Sequence, residues 1–284
     1  EGLQLVDSPS WTVHPVDCDE VTVRGLTISS PHDSPNTDGI NPDGCRSVRI
    51  ADCRIDTGDD CIAIKTGSEG LPAEQRRPTE RVIVTGCVFE HGHGGVVLGS
   101  EMSGGIREVI VADCIMHDTD RGIRLKTRRG RGGVIEDLRV ANVQMRRVGC
   151  PFVVDGFYIC AGGRRPEVQD PGPQPVDAGT PVVRRLTLSG LDARDVVWCA
   201  AYLHGLPEAP FTEIALHDVC AEADPDPARP AGAPAMMQDA ILLRGAGIHA
   251  VHIDGLDLRG LRIRTLEHQP ELALHACRRV SGRS

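Results

Sequence analysis

Aromatic residues are scarce in this chain of 284 residues, which has two tryptophans, two tyrosines and four phenylalanines. Ring stacking can therefore contribute little to ligand binding, which favours recognition through charge. No run of about 18 apolar residues occurs, so the sequence predicts no membrane-spanning helix. Cysteine pairs with CxxC spacing are absent as well, which argues against a structural zinc site.

The formal net charge of −9 disfavours a general nucleic-acid-binding protein. The eleven cysteines are odd in number, so they cannot all pair within the chain. Several occupy apolar-patterned positions, which indicates buried thiols and leans towards a reducing compartment such as the cytoplasm. The first residues read as folded sequence rather than as a signal peptide, and an extracellular or periplasmic location stays open.

An eight-residue pattern with apolar residues at places one, three, six and eight recurs along the chain. It first appears at residues 21–28, and successive copies start 27, 34, 27, 29, 48, 28 and 37 residues apart. The copies begin at Val21, Val48, Val82, Val109, Leu138, Leu186, Ile214 and Val251. In three central copies, a second short alternating strand opens 13 residues after the start, at Cys61, Gly95 and Gly122.

Short alternating strands at this period predict a solenoid of β-strands. Because helical periodicity is not evident, we expect an all-β fold, a right-handed parallel β-helix, over residues 1–284 as a single domain. Two segments rich in Pro, Gly and Asp, residues 161–181 and 221–234, are expected to be surface loops. Residues 1–17 either form an irregular cap or follow missing coils, and we favour missing amino-terminal coils.

Superposing the second strands places particular side chains next to one another. Directly before the strand stand Asp38, Asp60, Gly94 and Arg121, and one place earlier stand Thr37, Asp59, His93 and Asp120. Since neighbouring strands lie about 4.7–4.9 Å apart, the three aspartates should be neighbours, with His93 one coil further on. Alternation places Arg124 and Lys126 on the outer face, but it turns Asp38 and Asp60 inward unless the chain bends.

Three clustered carboxylates raise one another's pKa, which lets one serve as a general acid while its neighbours serve as bases. A basic run from Arg121 to Arg131 lies beside them and suggests a carboxylated or phosphorylated ligand. The simpler alternative is that aspartate and glycine occupy these positions because turns favour them. For Asp38 alone the two explanations are equally good. Asp120 fits a turn, and His91 reads as a loop histidine.

At these residues the chain resembles glycoside hydrolase family 28, the polygalacturonases. The resemblance lies in four segments in the family's order: Asn36-Thr37-Asp38, Gly58-Asp59-Asp60, Gly92-His93-Gly94 and Arg124-Leu125-Lys126. Flanking residues 8–15 and 99–105 look like bacterial members, many of them exo-acting. The resemblance is good to about residue 160 and fades afterwards.

The resemblance implies hydrolysis of α-1,4-galacturonosyl bonds with inversion, without a metal or other cofactor. It makes Asp59 the general acid, with Asp38 and Asp60 activating water and His93 tuning the acid. Inversion is expected to need carboxyl groups about 6.5–9.5 Å apart.

The family's binding residues can be carried over in the same way. Arg124 and Lys126 would bind a galacturonate carboxylate. Tyr158 stands where the family has a tyrosine, and Asn36 would position the site. The partner would be a galacturonate-containing polysaccharide or oligosaccharide, without nucleic acid or membrane, and the protein is expected to act as a monomer.

One departure from the family concerns Cys61. Many members pair this cysteine with one at the position of Phe89, so Cys61 should be a free thiol.

Two alternatives stay open. A pectate-type lyase shares the fold class, and in it the aspartates would hold calcium while Arg124 abstracts a proton. A non-catalytic β-helix that binds acidic polysaccharide is the other.

Overall fold

The computed structural model describes residues 2–67, 69–160 and 163–282, and β-strands dominate it. The strands in chain order are β1 Gln4–Val6, β2 Thr22–Arg24, β3 Thr27–Ser29, β4 Arg46–Ala51, β5 Arg54–Asp56, β6 Asp60–Ile64, β7 Thr79–Thr85, β8 Val88–His91, β9 Gly94–Gly99, β10 Ile106–His117, β11 Arg121–Lys126, β12 Val134–Arg146, β13 Cys150–Asp155, β14 Val182–Val196, β15 Cys199–His204, β16 Phe211–Ala223, β17 Ala246–Val251, β18 Ile253–Arg259, β19 Arg262–Arg264, β20 Leu272–His275 and β21 Arg278–Ser281. A 3₁₀ turn spans Ala73–Gln75, and a short helix, α1, spans Pro166–Gln169.

The strands form two parallel sheets that wind along a common axis as a right-handed parallel β-helix, as the repeat predicted. The larger sheet has 14 strands and contains the eight-residue copies, and the smaller runs in the order β20-β17-β15-β13-β11-β9-β6. The copies stack in register, because Val109 pairs with Leu138, and Leu138 with Leu186. Buried apolar side chains of both sheets form one continuous core between them.

Place five of each copy explains why places three and six can both point into the core. That residue has a positive φ, and it is always glycine, aspartate or asparagine, the residues that tolerate the left-handed region best. The resulting bend offsets the strict alternation of a strand by one residue. The residues are Gly25, Asp52, Gly86, Asp113, Asn142, Gly190, Asp218 and Gly260.

The predicted position of the last copy was wrong. Ile214 pairs with Leu256 rather than with Val251, so this copy starts five residues later than predicted. The error has a simple cause, since the apolar pattern fits both frames and a glycine with positive φ, Gly255 or Gly260, occupies place five in each. Pairing with β16 decides between them.

The amino-terminal residues do not form an irregular cap. Leu5 pairs with Ile28, while Val13 and Val16 form bridges to Ile40 and Asp43, so residues 2–16 make a further turn of the solenoid.

The two predicted loops differ in how well their bounds hold. The first contains α1 and ends where β14 begins, and its predicted first residue, Ala161, lies outside the described residues. The second begins later than predicted, at residue 224, because β16 continues to Ala223. We call residues 224–245 the covering loop, since part of it lies over the outer face of the smaller sheet.

All eleven cysteines fall within the described ranges and are free thiols, seven of them buried, and Cys61 is among the free thiols as expected. Within the described residues, no helix has the length and apolar character needed to cross a membrane.

Candidate active site

Asp38 and Asp60 are neighbours because two coils stack in register. Ile40 forms a bridge to Ile62, and the amide of Gly39 donates to the carbonyl of Asp60 at 3.0 Å. One carboxylate oxygen from each of Asp38, Asp59 and Asp60 lies within 4.8 Å of those of the other two. Coil stacking thus brings the three predicted aspartates together.

The carboxylate of Asp60 is buried against two cations. Lys126 Nζ lies 2.5 Å from Asp60 Oδ2, and Arg124 Nη1 lies 3.7 Å from Asp60 Oδ1. Both cations project from the outer face of β11, so the Asp60 side chain points outward although Ile62 points into the core. The chain therefore bends between Asp60 and Ile62, as is required for the Asp60 side chain to point outward.

Asp38 is buried beside a lysine and an amide. Asn41 Nδ2 donates to Asp38 Oδ2 at 3.0 Å, and Lys65 Nζ lies 3.8 Å from the same oxygen. Burial raises the pKa of Asp38 to about 6, and the nearby charge of Asp60 adds to the increase while Lys65 opposes it.

Asp59 sits on the turn before β6, and Gly58 allows this turn to pack closely. A Cβ at Gly58 would collide with the carbonyl oxygens of Pro31 and Ser34. The close approach lets the loop of residues 31–36 reach Asp59, whose Oδ2 accepts from the backbone amide of Asn36 at 3.1 Å. The structure thus places Asn36 at the site through its backbone.

His93 lies against Asp59, with Nδ1 3.5 Å from Asp59 Oδ1. Burial acts to raise the pKa of Asp59, but contact with His93 and the charge of Lys126 outweigh it, so the net shift is downward. The pKa of His93 is raised chiefly by its hydrogen bond to Asp59, against the effect of burial. Both pKa shifts have the same cause, an ion pair between Asp59 and His93 that favours the protonated form of His93.

The cavity in front of these residues has a volume of about 340 Å³ and contains both predicted binding cations. Tyr158 also lines it, with its ring centroid 5.6 Å from the guanidinium of Arg124 and 5.3 Å from Lys126 Nζ. Arg124 is buried, and its Nη2 has no hydrogen-bond partner within the described part of the chain. An unpaired N–H of a buried cation is costly, so the site is suited to an anionic ligand.

Every predicted site residue lines this cavity: Asn36, Asp38, Asp59, Asp60, His93, Arg124, Lys126 and Tyr158. Asp120 and His91 lie outside it, in a neighbouring cavity. Asp120 lies in a bend as expected, but the prediction of a loop histidine was wrong, because His91 ends β8 and pairs with Asp56.

Six lining residues were missed as site residues: Trp11, Lys65, Ser100, Glu101, Cys160 and Met236. Lys65 connects two of the others, since its Nζ lies 3.2 Å from Glu101 Oε2 and 4.3 Å from the Trp11 ring centroid. Lys65 shares the outward parity of Arg124, which could have identified it. Trp11 and Glu101 lie in the two flanking segments, and no periodic signal marks them.

The basic run is not one ligand-binding patch, because only Arg124 and Lys126 of its six basic residues line the cavity. The other four are buried and bind neighbouring segments instead. Their contacts are Arg121 with the carbonyl of Pro234 at 2.8 Å, Arg128 with Glu69 at 3.0 Å, Arg129 with Glu208 at 2.7 Å and Arg131 with Glu101 at 3.2 Å.

The three aspartates could in principle hold a metal ion, since their oxygens are close enough to share one. Lys126 and Lys65 already neutralise two of them, however, and a divalent cation would have to displace these ammonium groups. The donor set therefore fits a divalent metal poorly.

Comparison with known proteins identifies a family by sequence, and solved structures share the fold. The model of glycosyl hydrolases family 28 matches residues 1–166. A protein of Vitis vinifera named "Probable polygalacturonase" is 38% identical over 223 residues, which are 77% of this chain and 43% of that protein. The chain therefore spans less than half the length of this relative.

Two solved structures are similar over almost the whole chain. The exopolygalacturonase of Thermotoga maritima matches with a TM-score of 0.73 and 27% identity, over 92% of this chain and 51% of that one. The family 28 exopolygalacturonase of Yersinia enterocolitica matches with a TM-score of 0.77 over 98% of this chain and 44% of that one. At 16% identity, the second comparison supports the fold alone.

The raised pKa of Asp38 makes a prediction about stability. Because the native state binds this proton more tightly than the unfolded chain does, Asp38 has no destabilising effect below about pH 4. Its ionisation destabilises the fold progressively as the pH rises through about 6. Asp38→Asn should therefore be more stable than the unmodified chain at pH 7.5, by up to about 3 kcal/mol, and equally stable near pH 4. Urea unfolding at both pH values measures the difference.

The exposed Asp33 supplies the control, and Asp33→Asn should leave the unfolding midpoint unchanged at both pH values. An equal effect of Asp38→Asn at both pH values would show that the Asp38 proton does not influence stability.

Proposed function

The chain belongs to glycosyl hydrolases family 28, and from that premise we propose that it hydrolyses α-1,4-galacturonosyl bonds of pectic chains by general acid–base catalysis. Arg124 carries the proposal, because it is a buried cation with an unpaired N–H that faces a cavity containing three carboxylates. A uronate carboxylate supplies the anion that this group lacks. Family membership favours hydrolysis over the lyase alternative.

The general acid in this proposal is Asp59. By pKa alone Asp38 would suit this role better, since its pKa is raised while that of Asp59 is lowered. Access decides for Asp59, whose side chain is 22% exposed, against 4% for Asp38 and 1% for Asp60. A leaving oxygen can approach the exposed carboxylate. The required proton is stored on His93 and passes to Asp59 when the substrate excludes water.

Asp38 and Asp60 act together as the base. A water molecule held between them attacks the anomeric carbon, its proton goes to this pair, and Asp59 protonates the leaving oxygen. The closest carboxylate oxygens lie within 4.8 Å, below the expected separation of 6.5–9.5 Å for inversion. We still propose inversion, because the family resemblance implies it and because a water held between Asp38 and Asp60 would itself be the nucleophile.

Three residues bind the substrate in this proposal, and a fourth positions the acid. Arg124 and Lys126 pair with the uronate carboxylate, Tyr158 packs beside that group, and Asn36 holds Asp59 in place.

Attack at a chain end is favoured by the covering loop. The outer row that contains Arg124 continues along the smaller sheet through Val153 to Tyr202, where a groove for further sugars would run. In that direction the side chains of Val153 and Tyr202 are buried beneath Ala235 of the covering loop. Met237, also from this loop, packs against the same apolar cluster. The groove is therefore closed beyond Arg124, and an exo-acting enzyme fits this shape.

The acid role is tested by Asp59→Asn. Activity on polygalacturonate, measured as new reducing ends, should fall by a factor of about 100 to 10,000 while the circular dichroism spectrum is preserved. The matched control is Asp120→Asn, because Asp120 lies on the same row of turns but outside the cavity, and it should stay within about threefold of the unmodified chain. Activity retained in Asp59→Asn would remove Asp59 from the acid role.

The exo proposal is tested by product size. Arg121 holds the covering loop through the carbonyls of Pro234 and Ala233, at 2.8 and 2.9 Å. The unmodified chain should release products of one size from polygalacturonate. Arg121→Gln should loosen the loop and add longer oligomers, whereas Arg147→Gln, at an exposed ion pair with Asp118, should not. A ladder of oligomers from the unmodified chain would contradict exo attack.

A further inference from the structure

A second cluster of chemistry-bearing side chains lies behind the catalytic turn, where His32, Asp56 and His91 meet. One nitrogen of each histidine and one oxygen of Asp56 lie within 4.8 Å of one another. The three residues come from different segments: the loop of residues 31–36, the end of β5 and the end of β8.

A β-bulge brings His91 to this position. Ile55 pairs with Phe89, but the next residue, Asp56, pairs with His91 rather than with Glu90. Regular pairing would have placed the carboxylates of Asp56 and Glu90 opposite each other. The extra residue re-aims the strand end, so that an imidazole faces Asp56 instead.

His91 is held in an orientation that suits a metal ligand. Its Nδ1 lies 2.8 Å from the carbonyl oxygen of Thr57, which fixes Nδ1 as the protonated nitrogen. Nε2 is then left as an acceptor, and such a hydrogen bond from the far nitrogen is the usual way in which proteins orient metal-binding imidazoles.

His32 completes the set from the exposed side. Its Nε2 lies 2.8 Å from Asp56 Oδ1, and its ring stacks on that of His91 with centroids 3.7 Å apart. A shared ion needs the His32 ring to leave this stack, because lone pairs of parallel rings do not converge. The side chain is 58% exposed, so it can rotate without displacing packed neighbours.

We propose that His32, Asp56 and His91 form a binding site for a divalent first-row transition-metal ion such as Zn²⁺. Two imidazoles and one carboxylate are a donor set that these ions prefer. The cluster faces a cavity of about 620 Å³, which leaves room for water to complete the coordination. The site is separate from the three catalytic aspartates and does not depend on the proposed hydrolysis.

A metal ion bound at this site would affect the turn that carries Asp59. His32 and Asn36 belong to the same loop, and the amide of Asn36 donates to Asp59. An ion bound to His32 would therefore tie this loop to β5 and β8, next to the proposed acid.

The test is an isothermal calorimetric titration of the chelator-dialysed full chain with Zn²⁺ alone at pH 7.5. The expected result is one ion per chain, bound at least about tenfold more weakly by His32→Ala and by His91→Ala. His117→Ala is the matched control, since His117 pairs with Glu90 nearby but lies outside the cluster, and it should bind within about twofold of the unmodified chain.

Cobalt separates this site from the free thiols. Bound Co²⁺ should give weak visible bands without the intense near-ultraviolet absorption of cobalt–thiolate bonds. Unchanged affinity in His32→Ala, thiolate absorption, or no binding below about 1 mM would each overturn the proposal. The exposed His32 makes misfolding an inadequate explanation for loss of binding, and circular dichroism of each variant checks this directly.

Discussion

In-register stacking of parallel coils is the constraint on which the candidate site depends. Each coil repeats the backbone of its neighbour about 4.8 Å away, so residues at equal offsets from the repeat become spatial neighbours. Asp38 and Asp60 meet for this reason, although 22 positions separate them in the sequence. The left-handed residue at place five maintains the register by keeping the same bend in every coil of the larger sheet.

The same stacking creates an electrostatic problem and supplies its solution. Three carboxylates packed this closely repel one another, and burial strengthens the repulsion. Cations from neighbouring positions compensate, since Lys126 and Arg124 lie against Asp60 and Lys65 lies near Asp38. The compensation is incomplete at Asp38, whose pKa stays raised, and at Arg124, whose Nη2 is unpaired. A site with one buried carboxyl group that keeps its proton up to about pH 6 and one unpaired buried cation is suited to an anionic ligand.

Much of this arrangement could be predicted from the sequence, because the apolar repeat sets both the fold and the offsets of Asp38, Asp60 and His93. The last copy could not be placed, since two frames at Val251 and Leu256 satisfy the same pattern and only strand pairing distinguishes them. Side chains delivered by irregular segments were also missed. Trp11 and Glu101 carry no periodic signal, and the buried ion pairs of the basic run depend on distant loops. The bulge at His91 is a local departure from the repeat, which the pattern cannot reveal.

The stereochemistry of the first product tests the central claim most directly. Carboxylates this close together would suggest retention, whereas attack by a water held between Asp38 and Asp60 gives inversion. Proton NMR of polygalacturonate hydrolysis, recorded before mutarotation, distinguishes the two anomers of the newly formed reducing end. Attack by a water held between Asp38 and Asp60 predicts that the β-anomer appears first and the α-anomer only later. Initial release of the α-anomer would show retention through a covalent intermediate and would contradict the assignment of Asp38 and Asp60 as the base.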